Sequence, residues 1–370
     1  MSIVIFLIVL AVLVFVHELG HFIVAKKSGI RVDEFAIGFP PKLFSWTRGE
    51  TKYVFNLIPF GGYVKIFGEN PDDESLNGPD SKRSFVNAPK WKQTAVLVAG
   101  VSMNMIFAWI LISMSFMIGN LMPVGDSGIA KYSKYMHEPR VIVTNLNETS
   151  AAKRAGVQIG DTLLAISDGK NTYGTISSST ITTVQIKELV SSNKDKILTL
   201  NYSHSGENKV ATMTPETVNG TPIIGVYMEN VGVVKMNFFT ALWYGADLTI
   251  TTIKDVAIGL SKFIYHSIKG QGHLSDVTGP IGLVDMVGQA AHFGWSYLFG
   301  FIAFISLNLA VINLMPFPAL DGGRVLFVAI EAITRRPIKP RVANALNGIG
   351  FILLMGLMVV ITVRDIINLI

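Results

Sequence analysis

The chain has 370 residues, 50% of them hydrophobic and 15% charged, with a formal net charge of +5. That balance excludes a disordered chain and an ordinary soluble domain. The basic residues are dispersed and gather beside apolar runs, which argues against nucleic-acid binding, and without cysteine neither a disulfide framework nor a thiolate metal site can form.

Residues 3–25 form the first apolar run, with Glu18 its only formally charged residue. As a helix rising about 1.5 Å per residue, the run is long enough to cross a hydrocarbon core about 30 Å thick. No basic segment precedes Ile3, so residues 1–30 are read as a retained span, not a signal peptide. Inside the run stands His17-Glu18-Leu19-Gly20-His21. His17 and His21, at i and i+4, share one helix face. Two neutral imidazoles so placed can hold a zinc ion, and Glu18 can act on water as a base. Burying these groups in lipid without partners or a task is costly, which favours chemistry over a chance motif or a polar helix-contact patch.

Residues 31–92 are expected to form a cytoplasmic, membrane-associated β-loop. Glu34–Trp46 and Thr51–Phe67 are rich in aromatic and β-branched residues and punctuated by Gly38, Pro40, Pro41, Gly61 and Gly62, a strand-and-turn pattern. Two readings stand: a hairpin packed on the helices, or an edge strand that pairs with an extended peptide. Residues 69–84 read as a polar solvated loop. A second span is expected over 93–122.

Residues 123–232 read as a compact α+β domain. Its strands are expected at Arg140–Asn145, Thr162–Ser167, Lys196–Ser203 and Lys209–Thr214, with a helix at Thr183–Ser191 and Gly225–Met228 closing a sheet; 171–182 is a polar insertion. Residues 233–294 are expected to form amphipathic linker helices. In 238–269, Asp247, Lys254, Asp255 and Lys262 recur at helical spacing, which suits a helix lying on the outer membrane face; a fifth span is the rival. The third span and the segment after it occupy 295–341, and the fourth span 342–370. Lys26, Lys27, Arg31, Lys82, Arg83, Lys90 and Lys92 flank the first loop, and Arg324, Arg335, Arg336, Lys339 and Arg341 the last. Both loops therefore read as cytoplasmic, with the termini and 123–295 on the other side.

Two histidines leave a catalytic zinc one protein ligand short. The best candidate is Asp321, in Asn313-Leu314-Met315-Pro316-Phe317-Pro318-Ala319-Leu320-Asp321-Gly322-Gly323. The prolines break the third span, and irregular backbone at that depth must be buried in protein or line a cavity. The alternative is that Asp321 only caps the helix that follows. His137, His204, His266, His273 and His292 are read as surface or structural, and Asp285 and Glu331 as non-ligands.

HELGH in the first span, NLMPFPALDGG after the third, AGVQIGD followed by LLAISDG at 155–169, IPFGGYVKIFGE at 58–69 and TGPIGL at 278–283 together resemble the bacterial site-2 proteases of the RseP type. The resemblance implies a polytopic α-helical membrane protein of about four transmembrane helices, with a membrane-reentrant β-loop and one extracytoplasmic PDZ-like domain, in the bacterial plasma membrane. It implies an intramembrane zinc metalloprotease in which His17, His21 and Asp321 bind Zn2+, Glu18 is the base, and Asn313, Pro316 and Pro318 shape a substrate-binding segment with Gly61 and Gly62 of the β-loop. Gly100-Val101-Ser102-Met103-Asn104 departs from the family's GPxxN by lacking the proline but keeps Asn104. The expected partners are single-span membrane proteins, the lipid bilayer, and peptide ends at the PDZ-like domain. The competing class is a non-catalytic membrane scaffold with PDZ-like peptide binding and a structural metal.

Overall fold

The computed structural model describes residues 2–70, 72–124, 130–147, 149–175, 181–204, 206–218, 220–271 and 278–367. His273 and residues 176–180 of the polar insertion lie outside the described residues. The chain divides into two units: Met1–Ser113 with Leu242–Ala291 and Leu298–Ile370, and Met114–Ala241 with His292–Tyr297.

The first unit opens with α1 (Ser2–Lys27), apolar on every side and closed by Lys26 and Lys27 in its last turn, where cations suit the helix dipole. β1 (Val32–Arg48) and β2 (Thr51–Ile66) follow as an antiparallel pair in which each strand is used twice. Phe35 faces both Val64 and Tyr53, and Ile37 faces both Gly62 and Phe55. The first half of β1 is thus enclosed by the two halves of β2. Phe44, Trp46, Tyr53 and Phe55 stack on one face with centroid spacings of 4.9–6.1 Å, while Phe39, Leu43, Phe44 and Trp46 remain exposed.

The described residues of 69–84 are more organised than a solvated loop. α2 (Asp73–Asn77) starts from a reciprocal capping box between Asp72 and Ser75, which satisfies two backbone donors at once. Arg31 binds Asp33 and Asp80, each at 2.8 Å, and covers the Phe67 ring. Short-range polar pairing organises a stretch whose composition suggested only solvation. Next comes α3 (Lys90–Ile118).

The second unit is built on a seven-stranded sheet. Its elements are β3 (Asn120–Pro123), β4 (Met136–Leu146), α4 (Ala151–Arg154), β5 (Thr162–Ser167), β6 (Thr172–Gly174), α5 (Thr183–Ser192), β7 (Leu198–His204), β8 (Glu207–Met213), β9 (Glu216–Val218), β10 (Thr221–Ile223) and β11 (Val226–Val234). The strand order is β3-β11-β4-β5-β7-β8, with β6 on β5 and β9-β10 a separate pair. Strand β11 lies between β3 and β4 over Val231–Val234, while over Val226–Glu229 it pairs with β4 alone among the described residues. Val141, Leu163, Ile186, Leu198 and Leu200 are fully buried in the core under α4 and α5.

The chain continues through α6 (Phe238–Ile268), α7 (Pro280–His292), α8 (Trp295–Asn313), α9 (Asp321–Thr334) and α10 (Pro340–Ile367). Among the described residues, α1, α3, α8 and α10 are long and apolar enough to cross a membrane. Within the first unit, Ala25, Val32, Ile66, Val96 and Val328 form a core shared by α1, β1, β2, α3 and α9. A second core, with Val9, Leu13, Val287, Ala290 and Leu298, joins α1, α7 and α8.

Candidate metal centre

The first unit brings together side chains that lie some three hundred positions apart in the sequence. His17 and His21 are each 8% exposed and turn their Nε2 atoms toward one point, 3.2 Å from each other. Asp321 Oδ2 lies 3.1 Å from His17 Nε2 and 3.4 Å from His21 Nε2. Zinc binds nitrogen and carboxylate oxygen at about 2.0–2.2 Å, so two ligands of a tetrahedral zinc stand about 3.3 Å apart. The three measured edges match one face of such a tetrahedron, and Asp321 Oδ2 is buried without a hydrogen bond among the described residues. These residues fit zinc.

Three helices place them. On α1 the spacing of His17 and His21 puts both rings on the buried face that also carries Val9, Leu13 and Gly20. Gly20 permits close approach: a Cβ there would sit 2.4 Å from the Ala99 carbonyl of α3. Helix α3 then meets both imidazoles with residues at i, i+4 and i+8. The Val96 carbonyl accepts from His21 Nδ1 at 2.8 Å, and the Asn104 amide lies 3.2 Å from His17 Nδ1. Gly100 sits between them, where a Cβ would stand 2.4 Å from His21 Nε2 and 2.8 Å from His17 Cε1.

Asp321 does not cap α9. The cap position belongs to Leu320, with no side-chain cap hydrogen bond, and Asp321 is the first helical residue, its carboxylate free to face the imidazoles. The approach to it is tightly built. Ala319 takes a left-handed conformation, φ 77°, and donates its N–H to Asn347 Oδ1. A Cβ on Gly322 would lie 2.2 Å from the Met315 carbonyl, and one on Gly323 2.3 Å from that of Phe317; only glycine lets the broken backbone fold against the start of α9.

Glu18 interacts electrostatically with both imidazoles and Asp321, and with the backbone N–H of Val64 on β2. The structure thus gathers His17, His21, Asp321 and Glu18. Asn313 ends α8, and Pro316 and Pro318 lie in the break before Asp321; among the described residues none of the three bonds to the metal ligands. Gly61 and Gly62 lie on β2, two to three residues before Val64, with Gly62 packed on the Ala36 carbonyl. Arg324, one turn after Asp321, pairs with Glu69. Glu331 pairs with Lys90 at the start of α3, so it is not a ligand.

Outside the spans, Glu50 and Tyr63 of the first unit are both perturbed. Glu50, in the turn between β1 and β2, is held down at about 2 by its hydrogen bond to Arg83 and, next, by Lys26. Tyr63 is pushed up to about 12 because its hydroxyl donates to the Glu34 carboxylate. In the second unit, His204 is bound to the buried Asp161 at 2.7 Å. A groove of about 750 Å³ runs between α5 and the β10–β11 segment, lined by Val184, Lys187, Ser191, Ile223, Gly225 and Tyr227.

The Val96 carbonyl and the contact made by Gly100 escape sequence reasoning. A backbone oxygen carries no sequence signature, and Gly100 and Asn104 were visible only as part of a motif without a task.

Comparison with known proteins gives a consistent set of similarities. The profile of peptidase family M50 matches residues 5–357. A Clostridium perfringens protein bearing a zinc metalloprotease name is 36% identical, covering 99% of this chain and 99% of its own. The regulator of sigma-W protease RasP from Bacillus subtilis is 29% identical, covering 99% of this chain and 98% of its own. Among solved structures, the PDZ domain of an SdrC-like protein from Listeria monocytogenes is 24% identical, covering 24% of this chain and 85% of that one, with a TM-score of 0.20.

Proposed function

This chain belongs to peptidase family M50, and from that premise we propose how its residues cut a peptide bond in the membrane. The protein is a multi-pass membrane zinc metalloprotease. His17, His21 and Asp321 hold the zinc, and the observation that carries this assignment is the set of three edges, 3.1, 3.2 and 3.4 Å, between their donor atoms. Zinc, when bound there, supplies Lewis acidity toward a water and a carbonyl.

The other roles fall to the chain itself. Glu18 takes the proton from the attacking water and passes it to the leaving amine nitrogen. Val96 fixes the His21 ring through its carbonyl. A helical substrate hides its carbonyls in hydrogen bonds, so it must unwind, and in a dry environment the freed groups need new partners. Residues 62–65 of β2 supply them. They pair with β1 on one side, and Val64 among them interacts with Glu18. Gly61 and Gly62 let this part of β2 lie close against Phe39 and Ala36 of β1, and Asn313 with the Pro316–Pro318 break borders the same approach to Asp321.

The substrates are single-span membrane proteins. The groove between α5 and β10–β11 takes their extended peptide ends, because among the described residues Val226–Glu229 pair with β4 alone and leave one strand edge open. The second unit is read on this basis as a PDZ-like domain. The basic residues flanking α1, α3 and α9 support a plasma-membrane topology with both termini and this domain outside. A structural metal in a scaffold is less well supported, since it would take four protein ligands and three meet among the described residues.

Glu18→Gln tests the assignment. Cleavage of a single-span substrate in detergent should fall by about 10²–10⁴-fold, with one zinc retained per chain. Cleavage at the wild-type rate would reject Glu18 as the base.

A further inference from the structure

We infer that Asn104 is a positioning residue that fixes the tautomer and ring plane of His17 by accepting a hydrogen bond from its Nδ1–H. The inference rests on the reading that His17 is a zinc ligand.

His17 Nε2 is the atom that faces His21 Nε2 and Asp321 Oδ2. A neutral imidazole that ligates through Nε2 carries its proton on Nδ1, and that nitrogen is then a donor in need of an acceptor. His21 has one, the Val96 carbonyl at 2.8 Å. Toward His17 the structure turns the Asn104 side chain, with its amide 3.2 Å from Nδ1. Asn104 is fully buried, and its Oδ1 has no hydrogen-bond partner among the described residues. A half-turn of the amide about its last side-chain bond brings Oδ1 onto the Nδ1 proton and pairs both, moving the amide nitrogen to the position Oδ1 leaves. Leaving a buried donor and a buried acceptor unpaired is the costlier arrangement.

The backbone around Asn104 is anchored for this task. Ser306 Oγ of α8 donates to the Asn104 carbonyl at 2.9 Å. Val96, Gly100 and Asn104 share one face of α3, so a single helix orients both rings, one through a main-chain oxygen and one through a side-chain oxygen. Only the second can be changed by mutation without touching the backbone.

The test compares Asn104→Asp with Asn104→Leu in the full-length chain in detergent. Both approximate the asparagine in size, but Asp keeps an acceptor and Leu does not. Zinc affinity is measured by competition with a chromogenic chelator, and the visible spectrum is recorded after cobalt substitution. Loss of a ligand-orienting partner weakens metal binding about 10–100-fold. N104L should show that loss and a shifted cobalt spectrum, while N104D binds within about threefold of the wild type. If N104L does not fold, Asn104→Ala, which leaves a cavity in place of a bulky chain, takes its part. Wild-type affinity in N104L or N104A overturns the inference, and so does an equal loss in N104D, which would reduce Asn104 to packing. His17→Ala in the same titration separates this outcome from failure of the metal site. If H17A binds zinc normally the underlying reading falls; if only H17A loses zinc, the role of Asn104 alone falls.

Discussion

Replacing Gly100 with alanine sets two physical effects against each other. In the interior of α3, alanine is favoured over glycine by about 1 kcal/mol, so helix propensity alone forecasts a more stable protein. The site forecasts damage. The added Cβ would stand 2.4 Å from His21 Nε2 and 2.8 Å from the Cε1 atoms of both rings, against an ordinary contact of about 3.5 Å. The rings must retreat by about 1 Å, yet Val96 and Asn104 hold them from behind. A misplacement of about 1 Å costs on the order of 10²-fold in rate. G100A should therefore lose about 10²-fold in kcat/KM on a single-span substrate and bind zinc more weakly, while its helical circular dichroism and thermal midpoint do not fall in step. Gly259→Ala on α6 is the control, because nothing lies within 4 Å of its Cβ position; it should leave cleavage unchanged. Wild-type cleavage and zinc affinity in G100A would refute the claim that α3 sets the ring positions.

Two further predictions concern stability. Because Glu50 titrates near 2, below its ordinary 4.5, it is the ionised form that the fold favours. Its contribution is complete above about pH 4.5 and disappears as pH falls through about 2. The group is largely exposed, so the effect should stay under about 1 kcal/mol; the gap in unfolding midpoint between wild type and Glu50→Gln should close on acidification, and a gap that widens would contradict the sign. Leu200→Ala in β7 removes a side chain with no exposed surface and should cost about 2–5 kcal/mol, read as faster hydrogen exchange across β5, β7 and β8.

The parts of the site visible in the sequence are those whose geometry is local. His17 and His21 share a helix face by spacing alone, and the cost of burying Glu18 in an apolar run marks the run as chemical. Asp321 could be singled out because two prolines break an apolar helix just before it, but whether it capped α9 or faced the imidazoles depended on where the helix begins, which is a matter of one residue. The partners on α3 were hidden for a different reason. Val96 acts through its carbonyl, Gly100 through the side chain it lacks, and Asn104 through a neighbour 87 positions away. In the β-loop, aromatic and β-branched residues between glycines and prolines identified strands, yet nothing local shows that β1 and β2 each pair twice. Residues 69–84 looked solvated because polar residues that bond their own backbone have the same composition as those that bond water. Four apolar spans were plain from length and hydropathy, whereas the interior place of β11 required pairings between distant segments.

The open side of β2 carries a consequence for selectivity. Main-chain donors and acceptors recognise any extended polypeptide and are blind to what hangs from it. On the proposed reading, the protease sorts its clients by the work needed to unravel them, so a glycine or an asparagine that loosens a client's helix would mark it for cutting more clearly than any consensus of residues at the scissile bond.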